Sequence, residues 1–387
     1  MDHLSEVLKI LDGALRANAS MAANYAGLLA DKLEEGGARQ QARQIRERLA
    51  RSPGALVSVQ DGERGISLNN LPVDGESRLH TVDVSQPVAR DTNLVLPSAI
   101  EARVQEFLSC VRHHDALVAA NAALPNRLLM HGPPGTGKTQ MARWITAQLE
   151  LPLLTVRCDT LVSSLLGQTS RNLRRVFEYA EQRPCVLFLD EFDALAGARG
   201  NERDVGELQR VVIALLQNID ALPDSTVLLA ATNHDQLLDP AVWRRFSFRV
   251  PMPLPDEAVR VSLWRHFLGS YALDALDIKG LVARSEGITG AAIEQICMDA
   301  KRSAVLAGQT HVDEDEVFRR LGLTLALMQR VPLNTRDAEM VWLRCWNRKT
   351  FSLRALAKLY GVSTRHVTNI IQEGAAHGNE EDDTQVG

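Results

Sequence analysis

The chain has 387 residues, of which 45% are hydrophobic and 24% charged. These fractions are close to the averages of soluble globular proteins, and they exclude wholesale disorder, a collagen-like repeat and a disulfide scaffold. No apolar run reaches the roughly 18 residues that a membrane span requires, and the opening segment lacks the basic start of a signal peptide. We therefore expect a cytoplasmic protein of two or three domains with no membrane partner. The net charge of −5 gives no general attraction to nucleic acid.

The first 51 residues show helical periodicity. Apolar residues recur at helical spacing from Leu4 to Leu15, and two further helical stretches follow at 25–35 and 38–51. The pattern predicts a three-helix bundle over residues 1–51, which could serve as a docking adaptor or as a structural cap. Residues 52–93 mix proline, glycine and aspartate with short apolar runs, which is typical of a linker that could include a hairpin.

From residue 94 onwards, short apolar runs alternate with helical stretches. The predicted strands are 127–131, 152–157, 185–190, 226–231 and 248–250. This alternation predicts an α/β domain over 94–253, with a parallel sheet covered by helices on both faces. A helical lid is expected over 254–327, a third helical unit over 334–372 and an acidic disordered tail over 373–387.

A glycine-rich motif lies between the first predicted strand and a helix. It fits the pattern GxxxxGK[ST], and its candidate nucleotide-binding residues are Gly132, Pro133, Pro134, Gly135, Thr136, Gly137, Lys138 and Thr139. The glycines allow backbone N–H groups to curl around phosphate oxygens at the start of the helix. Lys138 would reach the β- and γ-phosphates of ATP, and the Thr139 hydroxyl would ligate Mg²⁺.

Two later strands end in polar residues that suit the same chemistry. The strand 185–190 ends in Asp190 and Glu191, where carboxylates are costly unless they serve a metal or a water molecule. Asp190 is a candidate to hold Mg²⁺, and Glu191 is a candidate general base. The strand 226–231 is followed by Asn233, whose amide could contact the γ-phosphate and the attacking water.

These motifs together resemble the AAA ATPases, specifically the clade with the second region of homology. The resemblance covers roughly 94–327 and rests on the ordered segments GPPGTGKT, LFLDEFDAL, AATN and DPAVWRRF. It implies a P-loop NTPase core and arginine fingers that reach the γ-phosphate of a neighbouring subunit, at Arg244 and Arg245. The chain lacks the Pro-Gly that commonly separates the two arginines, so the resemblance does not say which of them is the finger. An arginine acting in trans implies an oligomer, and the family expectation is a hexamer.

Two further segments are similar to family elements. Gly290 and Ala291 match a helix start that contacts adenine through the backbone. Leu165, Leu166 and Gly167 match the first central-pore loop, with leucine at the place where threading members carry an aromatic residue. Stand-alone bacterial members that this chain resembles are often paired with a subtilisin-like protease, which implies a possible separate protease partner.

The segment 352–371 resembles a helix-turn-helix, with a tight turn at Gly361 and a second helix that Ser363 would cap. The candidate DNA-contacting residues on that second helix are Thr364, Arg365, His366, Thr368 and Asn369. Residues 344–372 contain six lysines and arginines and no acid, which favours contact with the phosphates of duplex DNA. A trihelical protein-docking unit remains the alternative.

Three functions are therefore compatible with the sequence. The first is an ATP-driven remodeller of a protein client, recruited through the N-terminal helices. The second is a DNA-associated switch in a mobile-element, defence or regulatory setting. The third, a scaffold that binds nucleotide without hydrolysing it, is disfavoured by the intact Glu191 and Asn233.

Overall fold

The structure is a computed structural model, which describes residues 3–15, 19–50, 82–92, 94–158, 166–196, 205–273 and 275–382. Contacts within it divide the chain into two compact units, residues 1–253 and 254–387. None of the helices in the described ranges has both the length and the apolar character needed to cross a bilayer.

The first unit is built on a mostly parallel sheet, which confirms the predicted α/β class. Its strands are β1 (Val82–Ser85), β2 (Arg127–His131), β3 (Leu153–Arg157), β4 (Val186–Asp190), β5 (Val227–Thr232) and β6 (Phe248–Pro251). They lie in the order β1-β3-β4-β5-β2-β6, and only β1 runs antiparallel to its neighbour. Strand β1 lies within the segment 52–93, for which the sequence predicts a linker that could include a hairpin. The strand pairs antiparallel with β3, which is distant in the sequence.

Helices cover both faces of this sheet. The helices of the first unit are α1 (Leu4–Leu15), α2 (Ala19–Glu35), α3 (Arg39–Ala50), α4 (Ser98–Arg112), α5 (His114–Ala119), α6 (Lys138–Leu149), α7 (Leu166–Glu181), α8 (Asp193–Ala196), α9 (Val205–Ala221) and α10 (Pro240–Trp243). In β4, Leu187 and Leu189 join a core that includes α7 and α9, whereas Val186 and Phe188 join a core that includes α4 and α6. Burial on both faces explains why the strands are continuous apolar runs.

The N-terminal helices pack against the α/β domain. Tyr25 of α2 is buried, and its hydroxyl donates a hydrogen bond of 3.0 Å to the carbonyl oxygen of Glu181 at the end of α7. Lys9 of α1 donates to the hydroxyl of Thr226, directly before β5, at 3.2 Å. The N-terminal helices are thus grouped with the α/β domain in the first compact unit.

The second unit is helical. It contains α11 (Glu257–Leu268), α12 (Ile278–Arg284), α13 (Gly290–Leu306), α14 (Glu314–Met328), α15 (Arg336–Trp346), α16 (Leu353–Tyr360) and α17 (Thr364–Asp382). Arg319 of α14 donates to Glu339 of α15 at 3.2 Å and to the hydroxyl of Tyr360 of α16 at 3.3 Å. The predicted lid and the predicted third helical unit are therefore joined in one compact unit rather than separate.

The end of α17 lies in the segment for which the sequence predicts an acidic disordered tail. The helix continues to Asp382, well past residue 373, where the tail was expected to begin. Its glutamate and alanine residues favour helix, and they offset the unfavourable glycines at 374 and 378. Residues 383–387 lie outside the described part of the chain.

Candidate active site

The loop from Gly132 to Thr139 connects the end of β2 with the first turn of α6. Gly132, Gly135 and Gly137 have φ angles of 144°, 76° and 95°, which residues with a Cβ rarely adopt. At Gly132 a Cβ atom would also lie 2.2 Å from the carbonyl oxygen of Met252. The glycines therefore allow a tight curve in which backbone N–H groups and the start of α6 can face a phosphate.

Lys138 is buried at the start of α6. Its Nζ donates hydrogen bonds of 2.7 Å to the carbonyl oxygens of both Gly132 and Pro133. Burial lowers the pKa of Lys138, and the nearby carboxylates of Asp190 and Asp193 oppose that shift. The loop's own carbonyls thus hold the ammonium group within the curve, where a phosphate would contact it.

Thr139 and Asp190 meet across the sheet edge. The Thr139 hydroxyl donates a hydrogen bond of 2.8 Å to Oδ2 of Asp190, at the end of β4. A hydroxyl and a carboxylate at this distance are the oxygen ligands that Mg²⁺ uses beside a nucleotide phosphate. Thr139 and Asp190 therefore fit the predicted Mg²⁺ ion.

Glu191 follows Asp190 in an unusual backbone conformation. Its φ of 52° lies in the left-handed region, which is uncommon for residues other than glycine, asparagine and aspartate. Its backbone N–H donates to Oδ1 of Asp190 at 3.0 Å, and its side chain is exposed. Strained backbone of this kind is often found at active sites, and here it turns the chain sharply at the end of β4.

Asn233 is positioned by a residue that the sequence analysis did not single out. Oδ1 of Asp193 accepts hydrogen bonds from the hydroxyl of Thr232 at 2.8 Å and from the backbone N–H of Asn233 at 3.3 Å. The Thr232 hydroxyl also accepts from the backbone N–H of His234 at 3.0 Å. The third acid in the run Asp-Glu-Phe-Asp was the available signal for Asp193.

The two candidate arginines differ in their surroundings. Arg245 donates from Nε and Nη2 to the carboxylate of Asp220, at 3.1 and 3.0 Å, and this hydrogen bonding raises the pKa of Arg245. It also donates to the carbonyl oxygen of Ala241 at 3.0 Å. Arg244 is exposed and makes no hydrogen bond or ion pair with any residue in the described ranges. Of the two arginines, Arg245 is therefore the one that is held by a carboxylate of its own subunit.

The remaining predicted nucleotide contacts lie in the second unit. Gly290 and Ala291 form the first turn of α13, and the hydroxyl of Thr289 accepts from the N–H of Ala292 at 3.3 Å. This cap leaves the N–H groups of the first turn directed along the helix axis, as at other helix starts.

The predicted pore-loop residues are only partly described. Leu165 lies outside the described residues, whereas Leu166 and Gly167 form the first turn of α7.

Helices α16 and α17 are joined by a short turn at Gly361. Gly361 adopts a left-handed conformation with φ of 68° after α16, and the hydroxyl of Ser363 accepts from the N–H of His366 at 3.2 Å. Leu356, Val367 and Ile370 are buried. Of the candidate DNA contacts, Thr368 is half-buried and the following four are exposed: Thr364, Arg365, His366 and Asn369.

Comparison with known proteins agrees with this geometry. The family described as ATPase family associated with various cellular activities (AAA) matches residues 128–254. The chain is 35% identical over 246 residues to the AAA family ATPase y4kL of Sinorhizobium fredii, across 64% of this chain and 74% of that protein.

More distant similarity extends to larger proteins. The cell division cycle protein 48 homolog of Archaeoglobus fulgidus is 31% identical across 66% of this chain, but the match spans 38% of that protein. The ATP-dependent zinc metalloprotease FtsH of Acidothermus cellulolyticus is 30% identical across 64% of this chain and 39% of its own length. On these matches and on its phosphate-binding loop, the chain belongs to the AAA family and is an ATP hydrolase.

Proposed function

We propose that this ATPase acts as a cytoplasmic ring, expected to be a hexamer, and uses ATP hydrolysis to remodel a protein client. The observation that carries the proposal is the meeting of Lys138, Thr139, Asp190 and Glu191 at one sheet edge, in a chain that also exposes Arg244. The first four supply the phosphate-binding, Mg²⁺-binding and general-base positions of a hydrolytic site within one subunit. The exposed arginine is what such a site would receive from a neighbour.

Each residue of the site has a role that follows from its position. Lys138 and the surrounding backbone N–H groups would bind the β- and γ-phosphates of ATP. Thr139 and Asp190 would hold Mg²⁺, which when bound offsets phosphate charge. Glu191, exposed beside them, would accept the proton of the attacking water, and the amide of Asn233 would orient that water.

Gly290 and Ala291 are the proposed adenine contacts, as the resemblance to the family implies. The first turn of α13, at Gly290 and Ala291, offers small side chains that permit close approach of an adenine ring to the backbone. We expect a larger residue at Gly290 to weaken the binding of ATP more than that of inorganic triphosphate, because only the nucleotide carries the base.

The different surroundings of the arginines favour Arg244 as the finger. Arg245 is engaged with Asp220 of its own subunit, whereas Arg244 is exposed, has no polar partner among the described residues, and would contact a γ-phosphate across a subunit boundary. A finger supplied in trans typically contributes about 10³-fold or more to the rate of hydrolysis. Assembly and catalysis would therefore be coupled.

The names of several relatives support action on proteins. They include a proteasome-activating nucleotidase of Methanopyrus kandleri, 28% identical across 69% of this chain, and a 26S proteasome regulatory subunit of Arabidopsis thaliana, 32% identical across 50%. In this chain, Leu165, Leu166 and Gly167 would contact the client in the pore. A separate subtilisin-like protease is a possible partner.

The remodelling proposal is tested with a permanently unfolded probe. The Glu191→Gln variant, held in the ATP state, is expected to retain fluorescein-labelled casein. The double variant that also carries Leu165→Ala is expected not to retain it. A matched control is Leu254→Ala, since Leu254 is exposed and is not part of the proposed pore loop. No retention of casein, or equal retention with and without Leu165→Ala, would count against this role of the loop.

A second function is favoured by the charge of the C-terminal helices. Residues 344–372 carry six basic residues and no acid, and α17 exposes Arg365, His366 and Asn369 on one surface. This arrangement suits a DNA-associated switch in which duplex DNA binds α17 and alters ATP turnover. The test is ATP turnover with and without duplex DNA at increasing salt. Stimulation that fades with salt supports the switch, and indifference to DNA supports a protein-docking role.

A further inference from the structure

Trp243 connects the arginine segment to the phosphate-binding loop of the same subunit. It is the last residue of α10 and directly precedes Arg244. Its ring packs edge to face against the imidazole of His131, with 5.1 Å between ring centroids and an interplanar angle of 78°. His131 ends β2 and directly precedes Gly132, the first residue of the loop.

His131 is itself fixed by a second contact. Its Nδ1 lies 3.2 Å from Oδ2 of Asp235, which follows Asn233 on the turn after β5. The imidazole therefore contacts the segments that carry Asn233 and Arg244, and it is covalently joined to the phosphate-binding loop. One side chain thus links three parts of the site that come from three different places in the sequence.

Trp243 is also held from the side of β6. The guanidinium of Arg249 lies 5.8 Å from the centre of the Trp243 ring, and its Nη2 donates a hydrogen bond of 2.9 Å to the backbone carbonyl of Trp243. Arg249 lies in β6, where it is the register partner of Leu129 in β2. The position of the residue before Arg244 is thus set from β2 and from β6.

The start of α10 is capped, because Oδ1 of Asp239 accepts from the N–H of Ala241 at 2.7 Å. Beyond the end of α10, Arg245 binds Asp220. Between these contacts, Arg244 is the residue of the Trp-Arg-Arg segment whose side chain is exposed and has no polar partner in the described ranges.

We propose that Trp243, through its contact with His131, is a positioning residue that sets where Arg244 is presented to the neighbouring subunit. The inference rests on the proposed action of Arg244 in trans. His131 directly precedes Gly132 in the chain. The position of Arg244 therefore depends on the conformation of the phosphate-binding loop in the subunit that supplies this arginine. Through this contact, the position of Arg244 in one subunit depends on the nucleotide site of that same subunit.

The experiment is a complementation of two inactive variants. Glu191→Gln subunits lack the general base but keep the arginine, and they act as donors. Arg244→Ala subunits lack the arginine but keep an intact site, and they act as recipients. Mixing the two is expected to restore ATP turnover, because a recipient site beside a donor regains its finger.

The positioning role is tested by placing Trp243→Ala in one partner at a time. In the donor it is expected to lower the restored turnover about 10- to 100-fold, since displacement by about 1 Å can cost about 100-fold. In the recipient, whose own arginine is already removed, it is expected to lower the restored turnover much less than in the donor. This second arrangement also shows that the substitution permits folding and assembly.

Two further donor variants identify the contact that matters. Trp243→Phe retains an aromatic ring for His131, so it is expected to rescue most of the restored turnover. His131→Ala removes the other ring and is expected to reproduce the loss seen with Trp243→Ala in the donor.

The outcomes separate the two proposals. If unmodified donors and recipients restore no turnover, the proposed action of Arg244 in trans is wrong. If they restore it but Trp243→Ala donors are as effective as unmodified ones, only the positioning role of Trp243 is wrong. A loss of the same size whichever partner carries the substitution would show a general structural effect and would also overturn that role.

Discussion

The hydroxyl of Thr139 donates a hydrogen bond of 2.8 Å to Asp190, although the two residues are 51 positions apart in the sequence. The strand order brings them together, because β2 and β4 lie on either side of β5 and all three run in the same direction. Their carboxyl ends, with the loop, Asp190 and Asn233, therefore meet at one edge of the sheet. Because the strands of the sheet bring the site residues together, substitutions of these residues should change ATP binding and hydrolysis more than they change the fold.

Replacing Lys138 with alanine should weaken ATP binding by at least about tenfold. The change removes a buried cation that the loop holds where phosphate oxygens would contact it. Binding of a fluorescent ATP analogue to the purified variant measures the effect. The matched control is Arg143→Ala, which removes an exposed cation from the same helix; equal affinities of the two variants would exclude the assigned role of Lys138.

Replacing Glu191 with glutamine should leave ATP binding intact and lower kcat by about 10² to 10⁴-fold, because the amide cannot accept the proton of the attacking water. Nucleotide binding and steady-state turnover of the same preparation separate the two effects. A turnover close to that of the wild type would mean that another group is the base.

Asp193 should matter for both stability and turnover. Alanine at this position leaves the buried hydroxyl of Thr232 and the N–H of Asn233 without their acceptor, which should cost about 1–3 kcal/mol of unfolding free energy. Asparagine retains an acceptor oxygen and should recover most of that loss. Chemical denaturation and kcat of the two variants test this difference, and indistinguishable variants would argue against the hydrogen bonds as the cause.

The two arginines should respond differently to removal. Arg244→Ala should reduce kcat by about 10³-fold without changing stability, because its guanidinium has no partner in the described part of its own chain. Arg245→Ala should lower the unfolding free energy by about 1 kcal/mol or less, since its ion pair with Asp220 is partly exposed. Asp220→Asn is the control, which should reproduce the stability effect of Arg245→Ala. The opposite pattern, with catalysis lost mainly at Arg245, would reverse the assignment.

Arg365→Ala should weaken binding of duplex DNA and reduce its salt dependence if α17 contacts phosphates or bases. Arg336→Ala, an exposed change at the start of α15, is the matched control. Fluorescence anisotropy of labelled duplex DNA at several salt concentrations measures both effects. Identical salt slopes for the two variants and the wild type would leave α17 as a protein-docking helix.

The strands and the phosphate-binding loop could be predicted because their signals are local. A strand buried on both faces is a continuous apolar run, and the loop needs glycine wherever φ is positive. Strand β1 has no such signal, because its four residues include a single buried side chain and its partner β3 comes after β2.

The residues that position the site could not be predicted in the same way. Thr232, His131 and Arg245 bind aspartates that lie 39, 104 and 25 positions away in the sequence. The local sequence around each aspartate does not indicate which distant residue it will bind. For the same reason, the sequence could not distinguish the roles of Arg244 and Arg245. They are adjacent residues of the same type, but they have different neighbours in the structure.

The dependence of turnover on assembly tests the central claim most directly. ATP turnover per subunit should be measured over a range of protein concentrations, with oligomer size followed by analytical ultracentrifugation in the same buffer. If each site needs an arginine from a neighbour, turnover per subunit should rise together with the fraction of oligomer, and Arg244→Ala should abolish that rise. Constant turnover per subunit down to concentrations at which the protein is monomeric would contradict an active site shared between subunits.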